Sequence, residues 1–294
     1  MRYLDPKNDI TFKKVFGVHK DLCMSLLNAL VSLPDDAKIT SIEYEDTSVL
    51  PTTEYNKNSV VDVKCVDSLG RHFIVEMQLY WSESFMSRAL LNAAKTYVNQ
   101  TKKGQHFNTI KPVYSLCLLN DIFLKGDKYK NEFIHHYALC NDNHSDLKIE
   151  GIEFVFVEMP KFKAGCKASK TDANNWMSFL NDVDGKESID ELPQELVSNP
   201  LIKKAIDCLE ESSYTSLERA YYDKYWDAVS RELSSLDDAE NRGIKKGRAE
   251  GLVEGAINER ISNIVALRNV LPPEKIAEAF HIDISEVLKI LKEM

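Results

Sequence analysis

The chain has 294 residues, 44% of them hydrophobic and 28% charged, with a formal net charge of −9; this is room for one large domain, or a core with an appendage, in an ordinary soluble composition. The acidic balance counts against a general nucleic-acid coat but leaves space for a local basic groove, and no apolar run approaches the length of a membrane span. The six cysteines (Cys23, Cys65, Cys117, Cys140, Cys166, Cys208) have no close pairs, which argues against a zinc site or a disulfide framework and suits a reducing cytoplasm.

The start, Met1 to Pro6, does not read as a signal peptide. Asn8 and Asp9 then open a short helix that ends at Gly17, with apolar Phe12, Val15 and Phe16 on one side. A second helix is predicted from Lys20 to Val31 on the stripe Leu22, Leu26, Leu27 and Leu30. Thr40 to Val49 reads as a strand. Ser59 to Tyr80 reads as a hairpin whose two β-rich runs flank a turn with Asp67, Ser68 and Gly70. Ser82 to Gln100 is predicted helical, with Met86, Ala89, Leu90, Ala93, Tyr97 and Val98 buried and Gly104 as the stop. Val113 to Leu119 is an almost unbroken apolar run, the mark of a central strand covered on both faces, so strand, helix and strand form a crossover with parallel strands. Phe133 to Leu139 and Gly151 to Met159 supply further strands.

The hairpin carries the chemistry. Along its second strand Ile74, Glu76, Gln78 and Tyr80 share one face, and Asp62 and Lys64 share a face of the first. If the loop is Asp67 to Arg71, Val66 pairs with His72 and Asp62 lies opposite Glu76, with Cβ atoms about 5 Å apart. A three-residue loop would leave them diagonal on one face, and an even-numbered loop would place the two carboxylates on opposite faces and misalign the apolar faces as well. Facing carboxylates repel, and a divalent cation with a taste for hard oxygen ligands, such as Mg²⁺, removes that cost. The alternative is a solvated face of an amphipathic hairpin.

Asp62, a short hairpin, then Glu76-Met77-Gln78 resembles the core of the PD-(D/E)XK nuclease superfamily, with Gln in place of the final Lys. The opening Leu4-Asp5-Pro6-Lys7-Asn8-Asp9-Ile10-Thr11-Phe12-Lys13-Lys14-Val15-Phe16-Gly17 is similar to one bacterial branch, the recombination-promoting nuclease and transposase family. The likeness continues through Arg88, Tyr97, Gly104 and Lys111-Pro112-Val113-Tyr114-Ser115-Leu116, and resumes in the glycine-repeat tail. The resemblance implies an α/β fold, a restriction-endonuclease-like mixed sheet flanked by helices with a helical C-terminal extension. It implies metal-dependent hydrolysis of DNA in recombination, transposition or defence. Asp62, Glu76 and the Met77 carbonyl would hold Mg²⁺ or Mn²⁺, Gln78 would orient a water without supplying charge, and Lys64 would supply charge if its stem reaches. Asp9 is the candidate for an extra acid from a preceding helix, or else a helix cap. Arg88 and Tyr97 either approach the site or are, respectively, a surface ion pair and core packing. The competing function is a catalytically decayed nuclease fold that binds DNA or protein and oligomerises.

The remainder offers less chemistry. Lys161, Lys163, Lys167 and Lys170, and in another loop Lys125, Lys128 and Lys130, are either phosphate contacts or solvated surface. Residues 166–238 read as a helical extension packed on a core of residues 1–165, with Trp176, Phe179, Leu180, Tyr221, Tyr225 and Trp226 as packing aromatics. Residues 239–294 read as a tail. Its glycines Gly243, Gly247, Gly251 and Gly255 recur every four residues, each costing about 1 kcal/mol in a helix against alanine; they imply a seam for self-association or a pliable linker. Ile257, Ile261, Ile264 and Leu271 mark a further helix, closed by Pro272 and Pro273. Pro273 to Met294 resembles a small helix-turn-helix in which Ile276, Ala277 and Phe280 meet Val287, Leu288 and Leu291, while Glu286, Lys289, Lys292 and Glu293 are exposed. That face lacks residues suited to bidentate base readout, and a protein-contact or packing role is expected.

Overall fold

A computed structural model of the chain describes residues 2–33, 37–45, 60–101, 104, 106–163, 168 and 171–292; at 60–62 and 163 the description covers the backbone. The predicted strand residues 46–49, the hairpin's Ser59, and Cys166, Lys167, Lys170, Glu293 and Met294 lie outside the described residues. The chain divides into two compact units, Met1–Ala228 and Val229–Met294.

The first unit opens with α1 (Asp9–Phe12), which continues through a π-helical turn, Lys13–Gly17, and α2 (Lys20–Leu30). Then come β1 (Ile42–Tyr44), β2 (Val60–Asp67), β3 (His72–Gln78), α3 (Glu83–Asn99), β4 (Val113–Leu119), β5 (Ile134–Cys140) and β6 (Lys148–Glu158). The helices α4 (Met159–Lys163), α5 (Thr171–Asp182), α6 (Gln194–Ser198) and α7 (Pro200–Asp207) follow, and α8 (Ser216–Leu267) begins in this unit. The strands form one mixed sheet of six in the order β1-β2-β3-β4-β6-β5. β3, β4 and β6 are parallel neighbours; β1, β2 and β5 pair antiparallel. This is the mixed, helix-flanked sheet that the resemblance implies, and β4 is buried along its whole length.

Alternation along the strands builds a layer on each face. Val63, Cys65, Phe73, Val75 and Met77 meet Phe12, Phe16, α2 and the C-terminal helices through Trp176, Phe179 and Ile202. On the other face α3 covers Ile74, Val113, Cys117 and Leu119. Here the structure corrects the predicted helix stripe. Phe85, Ala89, Ala93 and Thr96 are buried, whereas Leu90 and Val98 are exposed. Helical geometry explains why: Phe85, Ala89, Ala93 and Thr96 share one narrow arc of α3, while Leu90 lies about 100° round from Ala89 and Val98 on the opposite side.

The N-terminal opening is a structural clasp. The Leu4 N–H donates to the Leu209 carbonyl and the Asp5 N–H to the Tyr222 hydroxyl, while Lys7 donates to the Leu180 carbonyl and pairs with Asp5. Asn8 donates to the Tyr222 carbonyl. These polar groups are buried and satisfied, as buried polar groups must be.

In the second unit α8 is one continuous helix through the glycine repeat, not a repeat followed by a separate helix. α9 (Pro273–Phe280) and α10 (Ile284–Lys292) pack around Ile264, Ile276, Ala277 and Val287. The turn between them uses His281 in the left-handed region (φ 53°). Asp283 Oδ1 accepts the Ser285 N–H at the start of α10. Leu288 is half exposed, and Ile290 takes the inward place expected of it. Among the described residues no helix is long and apolar enough to cross a membrane.

Candidate active site

The hairpin turn fixes the register on which the site depends. Asp67 Oδ1 accepts the N–H groups of Leu69 and Arg71, and Arg71 Nε donates to Asp67 Oδ2. Gly70 supplies a positive φ of 78°, a conformation that costs glycine little. Val66 accordingly pairs with His72, Val63 with Val75 and Asp62 with Glu76. The odd-numbered loop therefore places both acidic positions on the face that α3 covers.

Glu76 is 2% exposed. Its Oε1 accepts a hydrogen bond from Asn92 Nδ2 of α3 at 2.7 Å. Cys117 is its neighbour on β4; burial pushes the Cys117 thiol well up, and the Glu76 charge raises it further. Gln78 is also buried: its Nε2 donates to the Tyr80 carbonyl at 2.9 Å, and Arg88 Nη2 lies 3.4 Å from its Oε1. Lys64 stands opposite Ile74, one residue pair from Asp62–Glu76 on the same face. Met77 turns its side chain into the opposite core layer, so only its backbone can serve the site.

The donor types suit a hard cation. A buried carboxylate with a second acidic position directly across the ladder is an oxygen site of the kind Mg²⁺ and Mn²⁺ prefer. Among the described residues no group of three or more His, Cys, Asp and Glu side chains gathers to hold a metal.

Beside this pair lies a groove of about 630 Å³ whose lining includes Glu45, Lys64, His72, Asn92, Lys95 and Lys111. It follows the seam between the hairpin and α3. His72 Nδ1 lies 2.7 Å from Glu45 Oε1, so one basic group there is already matched.

Other expected positions resolve differently. Asp9 is in the first turn of α1, and its Oδ1 lies 3.1 Å from Lys13 Nζ. The cap is Asn8, whose backbone is extended and whose side chain accepts the Ile10 N–H. Asp9 itself has entered the helix, which corrects the cap expected at that position. Tyr97 packs, its ring lying 3.7 Å from where a Cβ on Gly151 would stand. Lys161 is no phosphate contact: it is buried, paired with Glu158, and donates to the Tyr129 carbonyl. Lys130 pairs with Asp127 on the surface.

Two features went unpredicted. Asn92 is one, a polar residue on a helix face between Ala89 and Ala93, which is the available signal. The other is a buried cluster at the end of β6. Glu158 Oε2 lies 2.7 Å from His135 Nε2 and also pairs with Lys161, and Oε1 accepts the N–H groups of Phe123 and Leu124. Burial pushes Glu158 up, but these partners outweigh it and hold the carboxyl below the usual range.

No curated protein and no solved structure matches the chain. A family model described as PD-(D/E)XK nuclease family transposase matches residues 6–239, a span that takes in the whole sheet, the hairpin with Asp62, Glu76 and Gln78, and the helices packed on both faces. The chain therefore belongs to the PD-(D/E)XK nuclease family of transposases.

Proposed function

We propose that the protein is a metal-dependent DNA endonuclease serving recombination, transposition or defence against foreign DNA. The observation that carries this reading is the direct Asp62–Glu76 pairing, with Glu76 buried and held by Asn92. Asp62, Glu76 and the Met77 carbonyl are the groups that would hold Mg²⁺ or Mn²⁺. A divalent ion held there would supply Lewis-acid polarisation of the phosphate and a lowered pKa for a bound water. Asn92 fixes one oxygen of Glu76 so that the carboxylate does not swing away from Asp62. Lys64, Lys95 and Lys111 offer cationic ends to a phosphate backbone laid along the groove. Water oxygen bonds to phosphorus, one P–O ester bond breaks, and the proton lost from water is balanced by protonation of the leaving oxygen.

A second reading, a decayed site that binds DNA or protein, draws on Gln78 where the superfamily has Lys and on the net charge of −9. Purified full-length protein incubated with supercoiled plasmid in Mg²⁺, Mn²⁺ or chelator separates the two. Nicking or linearisation in metal alone supports the endonuclease; intact plasmid in every condition, with DNA still bound, supports the decayed site.

A further inference from the structure

We propose that Arg88 supplies, from α3, the positive charge that the Glu-x-Gln motif lacks on β3, and that Gln78 acts as a positioning residue aiming the Arg88 guanidinium at a DNA phosphate. The inference rests on the nuclease reading for its setting, but its own content is a contact between Arg88 and phosphate.

The geometry runs from two repeats that match. One helical turn, from Arg88 to Asn92, rises about 6 Å; two strand residues, from Gln78 back to Glu76, span about 6.6 Å. α3 runs over β3 so that Asn92 meets Glu76 and Arg88 meets Gln78. Each site side chain on the strand thus has one partner on the helix.

The orientation of Gln78 follows from what its neighbours can do. The Tyr80 carbonyl only accepts, so the amide Nε2 must face it, at 2.9 Å. A guanidinium only donates, so the amide oxygen must face Arg88. One N–H of Gln78 is taken by Tyr80, and its oxygen is turned toward the arginine. Arg88 Nε is buried with no hydrogen-bond partner. The guanidinium also lies over the Phe85 ring, 5.6 Å from its centroid to Cζ. Neither Gln78 nor Phe85 carries charge. A half-buried arginine without a countercharge among the described residues, one helical turn from the residue that holds Glu76, fits an anion that arrives with the substrate. A planar guanidinium also matches phosphate oxygens in a way that a lysine does not.

The test uses the full chain in wild-type, Arg88→Ala, Arg88→Lys, Gln78→Ala and Gln78→Lys/Arg88→Ala forms, each first checked for an unchanged thermal melt. Two quantities are read: affinity for a short DNA duplex across a salt series in Ca²⁺, and plasmid cleavage in Mg²⁺. Arg88→Ala is expected to flatten the slope of log affinity against log salt by about 0.9, the loss of one phosphate contact, and to lower the cleavage rate on the order of 10²-fold. Arg88→Lys should keep the slope with a smaller loss of rate. Gln78→Ala should keep the slope and lower the rate. Lysine at position 78 in the Arg88→Ala background should restore the slope and at least ten-fold of the rate. An unchanged slope in Arg88→Ala overturns the proposal, whether or not the wild type cleaves; so does a wild type that binds no duplex. If the slope changes while no protein cleaves, Arg88 keeps its role and the endonuclease reading fails.

Discussion

Glu76 is held by constraints of two origins: the ladder sets it across from Asp62, and Asn92 fixes one of its oxygens from α3. Removing the second while keeping the first gives a sharp test at the residue scale. Asn92→Ala should leave the fold intact and weaken Mn²⁺ binding about 10- to 100-fold, the usual cost of losing an outer partner of a metal ligand; titration calorimetry reads it. Unchanged affinity would mean that Asn92 only fills space. Glu158 makes a second case, one that concerns stability. Its carboxyl is held below the usual range in the folded state, so its contribution is present above the unfolded glutamate value of about 4.3 and is lost as pH falls through the lower folded value. Wild type should therefore lose melting temperature steeply on acidification below about pH 4, and Glu158→Gln should show a shallower loss there. At neutral pH Glu158→Gln should be destabilised by about 3–5 kcal/mol, because Lys161 is left buried without its counterion.

At the scale of elements, the site needs α3 seated close to β3. Ala89 and Ala93 are 1% and 0% exposed at that contact. Ala93→Leu should overpack it, costing about 1–3 kcal/mol, and should lower cleavage by more than the loss of folded protein explains, since Arg88 and Asn92 move with the helix. A fall in melting temperature with undiminished specific activity would argue that the helix positions nothing. The strands were legible in the sequence because they rest on local rules, and the register was narrowed to a few loop lengths among which the structure chooses. Alternation gives the faces, and the odd-numbered loop from Asp67 to Arg71 decides whether Asp62 meets Glu76. What the sequence hid depends on tertiary partners. Leu90 and Val98 belong to an apolar pattern, yet the arc of α3 that meets the sheet is the one carrying Ala89 and Ala93, and it leaves them outside. Lys161 reads as one of several loop lysines until Glu158 and the Tyr129 carbonyl are seen around it. The motif Leu4 to Asp9 reads as a family signature; its physical work is to satisfy Tyr222, Leu180 and Leu209, residues 173 to 217 positions away.

At the scale of the whole molecule, the second unit presents a long charged helix with four glycines that have open space where a Cβ would stand. Ile244, Leu252, Val253 and Ile257 are exposed along the same stretch. We propose that this stretch pairs with a second copy of the chain: positions four apart drift only about 40° around a helix, so the glycines form one seam. Truncation after Asp238 should shift light-scattering mass to a smaller species; an unchanged mass would leave the helix as a spacer.

The central claim is that Asp62 and Glu76 together make this fold a metal-dependent nuclease, and one side-by-side measurement addresses it most directly. Initial rates of plasmid nicking in Mg²⁺ are compared for wild type, Asp62→Ala and Glu76→Ala, purified identically and matched for thermal melt. The account predicts metal-dependent nicking by the wild type and loss of that activity, to the level seen in chelator, in both variants. Equal nicking by all three proteins would contradict it.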